Sequence, residues 1–114
     1  MKNQYTVEID KYNKATVDLV KYSIGKKSML ITKIEVPREF QDEGIGSELL
    51  RLVLEDADRT FTTLWLEIHP KMDTTAEMLH YWYTKFGFVK MESGMYRRRA
   101  NKDIPEVKNT IGIL

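Results

Sequence analysis

The stretch V-P-R-E-F-Q-D-E-G-I-G-S-E-L-L, Val36 to Leu50, decides how this chain is read. It joins a strand to a helix. Upstream, M-L-I-T-K-I-E-V from Met29 to Val36 is rich in β-branched residues, as strands are. Pro37 has no N–H to give a sheet ladder, so the strand ends or bulges there. Downstream, Ile45, Leu49, Leu52 and Val53 recur at helical spacing, with Asp56 at the margin, and predict one apolar helix face. Between them lies Gln41-x-x-Gly44-x-Gly46. Two glycines permit a sharp turn and a close approach by a ligand. The helix that starts there offers unpaired N–H groups and the positive end of its dipole, which suit an anion.

A bare G-x-G also occurs in ordinary turns. Stricter nucleotide motifs are excluded. There is no G-x-x-x-x-G-K-[ST], and Leu49 stands where G-x-G-x-x-G needs its third glycine.

The whole chain sets further bounds. Its 114 residues suffice for one domain. Six Tyr, four Phe and two Trp supply large pieces of core. Eighteen basic residues face 17 acidic ones, for a net charge of +1, which argues against a dedicated nucleic-acid binder. The absence of cysteine excludes disulfides, thiolate metal sites and a thiol nucleophile. No apolar run approaches a membrane span, and M-K-N-Q-Y-T-V-E is no signal sequence. A cytoplasmic protein is expected, as monomer or homodimer.

Gln41-x-x-Gly44-x-Gly46, with Ile34-Glu35-Val36 before it, resembles motif A of the GNAT superfamily of N-acetyltransferases. That motif runs Arg/Gln-x-x-Gly-x-Gly/Ala, and its amides hold the pyrophosphate of acetyl-coenzyme A. Leu64-Trp65-Leu66-Glu67-Ile68 is similar to the next strand of that family. Tyr83-Thr84-Lys85-Phe86-Gly87-Phe88 is similar to its Tyr-x-x-Leu/Phe-Gly-Phe segment. The three occur in the family's order within residues 29 to 99.

Taken in order, Tyr5–Ile9 alternates and predicts a strand. Asp10–Lys14 reads as a turn. Ala15–Ser23 alternates with a change of face, which predicts a bulge or a strand buried on both sides. Gly25–Ser28 turns into the third strand. A helix over Gly44–Arg59 and a strand over Thr62–Ile68 form a crossover, so the strands flanking the helix are expected to be parallel. A second helix runs to about Phe86. Asp73 or Thr74 is the expected cap, with Glu77 completing a capping box, and Gly87 the expected stop. Phe88–Met91 and Met95–Arg99 read as strands around a Ser93-Gly94 turn. The expected architecture is an α/β (α+β) fold with a mixed, mostly antiparallel sheet, a central parallel pair and two main helices. Residues 1–99 form the domain and 100–114 a tail, whose Ile111, Ile113 and Leu114 are apolar enough to dock.

GNAT enzymes usually place one or two helices between their first two strands, as a wall of the acceptor site. Asp10–Lys14 is too short for them. The resemblance therefore implies a minimal, phage-like member, similar to small acetyltransferases of mobile elements such as anti-CRISPR enzymes that acetylate a protein lysine. An open acceptor side favours a macromolecular acceptor.

The resemblance also assigns roles. Ile34, Glu35 and Val36 bind the pantetheine arm through their main chain. Gln41, Asp42, Glu43, Gly44, Ile45, Gly46 and Ser47 form the pyrophosphate turn. Tyr83 is the acid for the leaving thiolate; a phenol of ordinary pKa about 10 is protonated at neutral pH. Glu67 is the base, acting through water, with Glu35 and His69 as further candidates. Arg97-Arg98-Arg99 have the chemistry to hold a 3′-phosphate of the coenzyme or a nucleic acid. Each has a plainer reading: Tyr83 as a core tyrosine, Glu67 as a salt-bridged sheet residue, Arg97-Arg98-Arg99 as an edge strand carrying protective charge. Asp42 and Glu43 are unfavourable beside a diphosphate unless they point into solvent. They keep open the alternative of a non-catalytic binding module with weak or lost coenzyme binding. No metal site is expected.

Overall fold

Period-two alternation in the first third of the chain becomes three antiparallel strands. These are β1 (Gln4–Glu8), β2 (Lys14–Lys21) and β3 (Ser28–Glu35). The computed structural model describes residues 1–25, 27–41, 43–70 and 74–101. Asp42, Asp73 and the apolar end of the tail lie outside them. Between β1 and β2 there is only a turn. The Asp10 carboxylate accepts the N–H groups of Tyr12 and Asn13, at 2.8 and 2.9 Å. Those hydrogen bonds, Tyr12 first, hold its pKa below the usual value.

The second strand does not change face, and the bulge lies in its partner β3. Asp18 pairs with Lys33 but Leu19 pairs with Ile31, so β3 carries the extra residue, Thr32. Ala15, Val17 and Leu19 are buried on one face. Val20, on the other, is exposed. The alternative of a strand buried on both sides is thereby excluded.

Helix α1 (Ile45–Arg59) returns the chain to β4 (Thr63–Leu66), and β3 and β4 pair in parallel. Helix α2 (Ala76–Lys85) leads to β5 (Val89–Lys90) and β6 (Tyr96–Arg98), which closes on β4. The six-stranded sheet has the order β1-β2-β3-β4-β6-β5.

Two expectations about the helices change. The buried face of α1 is Leu49, Leu50, Val53, Leu54 and Ala57, whereas Leu52 is exposed. A broad sheet surface takes a stripe wider than one residue per turn. The cap of α2 is Thr75, whose extended backbone lets its Oγ1 accept the Met78 N–H at 3.1 Å. At the other end Gly87 turns with φ +93. The Gly87 N–H reaches Thr84 O at 3.0 Å and the Phe88 N–H reaches Tyr83 O at 3.3 Å, a Schellman stop.

Helix α1 ends in the same motif. Phe61 N–H bonds Asp58 O and Thr62 N–H bonds Ala57 O, at 3.3 and 2.8 Å. Here the left-handed residue is Phe61, with φ +56, where glycine is usual. A side chain in that region costs about 1–2 kcal/mol.

Both helices pack on one face of the sheet. Tyr96 of β6 is buried there, its hydroxyl 2.6 Å from His80 Nδ1 of α2. Arg98 two residues on forks onto Asp58 of α1, at 2.8 and 3.0 Å, and gives its Nε–H to Phe86 O at 2.9 Å. The alternate residues Val20, Trp65 and Arg97 face the other way, where no helix lies among the described residues.

Candidate active-site cleft

The parallel ladder ends at Ile31 and Leu66. Beyond that pair β3 runs on to Glu35, bonded to β2 alone, while β4 stops. The two strands part, and a cleft of about 720 Å³ opens between them. The α1 N-terminus closes one end and α2 forms a wall. In a sheet with parallel strands this carboxyl end is where ligands bind.

One side of the cleft is β3: Thr32, Lys33, Ile34 and then Val36 line it. The edge of this segment that faces away from β2 has no strand partner among the described residues. The turn contributes Arg38, Gln41, Gly44, Gly46 and Ser47. Gln41 gives its side-chain N–H to Val36 O at 3.1 Å, which ties the turn to the strand it leaves. Gly44 caps α1 at φ +80 and ψ 3. A Cβ there would meet nothing within 4 Å, so conformation, not space, calls for glycine. Gly46 is the reverse case. A Cβ there would lie 3.8 Å from Trp82 and from Val36, an ordinary contact. The turn therefore sits against both the strand end and α2. The first N–H groups of α1 have no acceptor within the helix.

From the other side come Leu66, Glu67 and His69, and from α2 Leu79, Trp82 and Tyr83. His69 Nε2 lies 3.2 Å from Glu67 Oε1, with both side chains well exposed. Tyr83 is packed edge-on against Trp82 and Phe88, with ring centroids 4.9 and 5.7 Å away. Burial pushes its phenol up to about 12. It stays a proton donor across the neutral range.

The structure thus brings together Ile34, Val36, Gln41, Gly44, Gly46, Ser47, Glu67 and Tyr83. Glu35, Glu43 and Ile45 do not line the cleft. Glu35 pairs with Lys33 at 3.4 Å, Glu43 is exposed, and Ile45 packs against the core. Lys33 and Arg38 line it without having been singled out in the sequence, whereas Trp82 comes from the aromatic face of the second helix, which the sequence offers as a groove lining. Arg38, one residue past Pro37 and three before Gln41, was legible as a cation at the mouth of an anion turn. Of the three consecutive arginines, Arg98 is taken by Asp58. Among the described residues no cluster of histidine and carboxylate forms a metal site.

No family model matches the chain, and no curated protein matches it in sequence. Solved structures do match in fold. The ribosomal-protein-S18-alanine N-acetyltransferase from Escherichia coli superposes with a TM-score of 0.64 at 16% identity, over 91% of this chain and 76% of that one. A GNAT acetyltransferase from Staphylococcus aureus gives 0.59 at 18%, over 76% of this chain and 60% of that one, so the chain spans about three fifths of its length. The anti-CRISPR protein AcrVA5 gives 0.54 at 17%, over 84% of this chain and 98% of that one. Other structures that match hold coenzyme A or acetyl-coenzyme A. The chain has the GNAT fold.

Proposed function

We propose that the protein is an acetyl-coenzyme A-dependent N-acetyltransferase that moves the acetyl group to a primary amine by direct attack. The observation that carries this reading is the parting of β3 and β4 beyond Ile31 and Leu66, with the glycine turn at its mouth. Ligand-bound structures of the same fold support it.

The cleft fits the cosubstrate in three respects. The free edge of β3 at Ile34 and Val36 offers main-chain groups to an amide-bearing arm. The turn from Gln41 to Ser47 offers N–H groups to a diphosphate. Arg38 adds positive charge beside it, and exposed Glu43 does not line the cleft. The acidic turn therefore weakens binding less than the sequence suggests. Asp42 lies outside the described residues.

The reaction forms an N–C bond and breaks the thioester C–S bond. Glu67, with His69 beside it, takes a proton from the amine through water, so that a lone pair is free to attack. Tyr83 gives its proton to the departing sulfur. Raised to about 12, the phenol is a weaker acid than a thiol of ordinary pKa about 8.5, so it donates a hydrogen bond to the sulfur, passes its proton only as the C–S bond breaks, and recovers one from the proton that the amine has released. The acceptor we favour is a lysine or N-terminus of a protein. The turn between β1 and β2 contains no helix to wall off the acceptor side.

A continuous assay of thiol release from acetyl-coenzyme A, against lysine-bearing peptides, N-terminal peptides and small amines, tests this. Turnover with an amine that is lost in Tyr83→Phe supports an enzyme. Coenzyme binding without turnover across the panel would favour the binding module.

A further inference from the structure

A second groove, of about 490 Å³, lies on the sheet face that neither helix covers, at the end of β3 and β4 opposite the cleft. Lys27, Arg97 and Arg99 bring positive charge to it, and no carboxylate lines it among the described residues. A net charge of +1 over the chain averages away this local excess. The Arg97 guanidinium sits over the Trp65 ring, 5.9 Å from its centroid, which holds that cation in place. Arg98, between the two groove arginines, is turned inward and taken by Asp58.

One strand face joins this groove to the cleft. Leu64 and Leu66 are buried and Ile68 packs on the core, so Trp65 and Glu67 point the other way. Glu67 lines the cleft. Trp65 pairs with Arg97, and the same register sets Arg99 opposite Thr63. The Thr63 N–H reaches Lys27 O at 2.8 Å, so Lys27 flanks that level from the other side. Counted from Glu67 away from the cleft, Arg97 lies two residues along, and Arg99 and Lys27 lie four. At the rise of a strand these are about 7 and 13 Å. The face thus has a carboxylate at the cleft and cations beyond it.

We propose that this face docks the acceptor, and that the acceptor is a lysine in an acidic, extended segment, with carboxylates about two and four residues from the acetylated amine. The inference rests on the acetyltransferase reading of the cleft. In an extended segment alternate side chains point the same way. A lysine reaching toward Glu67 then directs its second neighbour onto Arg97 and its fourth onto Arg99 and Lys27. Each end of the face meets the opposite charge, which fixes the register of the segment. A nucleic-acid strand would satisfy the cations, but it would carry phosphates on toward Glu67 and offer no aliphatic amine there.

Two lysine peptides test this, identical except for glutamate or glutamine at the second and fourth positions on either side of the lysine. Each is measured by thiol release with acetyl-coenzyme A and, labelled, by fluorescence anisotropy. The glutamate peptide should bind about tenfold more tightly and have a KM lower by a similar factor, with kcat alike. The preference should shrink as salt rises from about 0.01 to about 0.15 M. Arg97→Ala with Arg99→Ala should bring the two peptides level, and Arg97→Glu with Arg99→Glu should reverse their order. No difference between the peptides in binding or KM, or a preference that survives the alanine pair, would overturn the proposal, while turnover would leave the acetyltransferase reading standing. Selective binding without turnover of either peptide would overturn that reading, and the acceptor role with it. Tighter binding of an oligothymidylate of equal charge would assign the groove to nucleic acid instead.

Discussion

Ile31 and Leu66 are the last residues of β3 and β4 to pair. One residue further, Thr32 bulges against β2 and Glu67 leaves the ladder. The bulge bends β3 away while β4 ends, so the cleft is opened by backbone geometry before any side chain fills it.

The two glycines of the turn should behave differently. Gly44→Ala forces an L-residue to φ +80 and should cost about 1–2 kcal/mol in urea unfolding. Gly46→Ala places a methyl in ordinary contact with Trp82 and Val36 inside a helix. It should leave stability unchanged or raise it by up to about 1 kcal/mol.

Tyr83 and Glu67 are separable by kinetics. Tyr83→Phe should lower kcat by about 10²–10⁴ while coenzyme affinity holds. Glu67→Gln should lower kcat as well. If His69 acts through Glu67, His69→Ala should cost much less in the Glu67→Gln background than alone, in a double-mutant cycle on kcat/KM.

Alkaline pH should destabilise the fold. Burial raises Tyr83 to about 12; burial first, and then the hydrogen bond to Asp56, raise Tyr5 to about 12 as well. The folded chain holds both protons where the unfolded chain has lost them. Their contribution is complete below pH about 10 and disappears as pH rises toward 12, roughly 2–3 kcal/mol for Tyr83 and less for Tyr5, whose hydroxyl is screened by solvent. Asp56 works in the opposite direction. The Tyr5 hydrogen bond lowers its pKa, so its contribution is present above the ordinary carboxylate range and disappears as pH falls through its folded value. Urea midpoints against pH should fall at both ends, and Tyr5→Phe should flatten both limbs.

Arg97 and Arg98 are neighbours with opposite duties. Arg98 and Asp58 are largely buried partners, and Asp58 also accepts the Asn101 N–H at 2.8 Å. Arg98→Met should cost about 3 kcal/mol by stranding that carboxylate. Arg97→Ala, on the open face, should change the unfolding midpoint little.

The strands, both helices, the parallel crossover and the glycine turn were legible because each rests on local pattern. Alternation fixed β1 to β3, and Gln41-x-x-Gly44-x-Gly46 marked the turn. What was missed depends on tertiary placement. Leu52 fits the helical period as well as Leu49 does, and only the width of the sheet decides which is buried. Thr75 takes the cap from Thr74 because the loop delivers its backbone extended. The fates of Arg97 and Arg98 follow from one pleat, and charge alone carries no such distinction. Arg38 reaches the cleft from a position that the motif does not include.

Calorimetric titration with acetyl-coenzyme A and with coenzyme A tests the central claim most directly. Dissociation constants in the micromolar range, about −8 kcal/mol, are predicted, with loss in Gly44→Ala. Absence of binding up to millimolar ligand by a folded protein would contradict the account. The cleft between β3 and β4 would then be a feature of the fold without its cosubstrate.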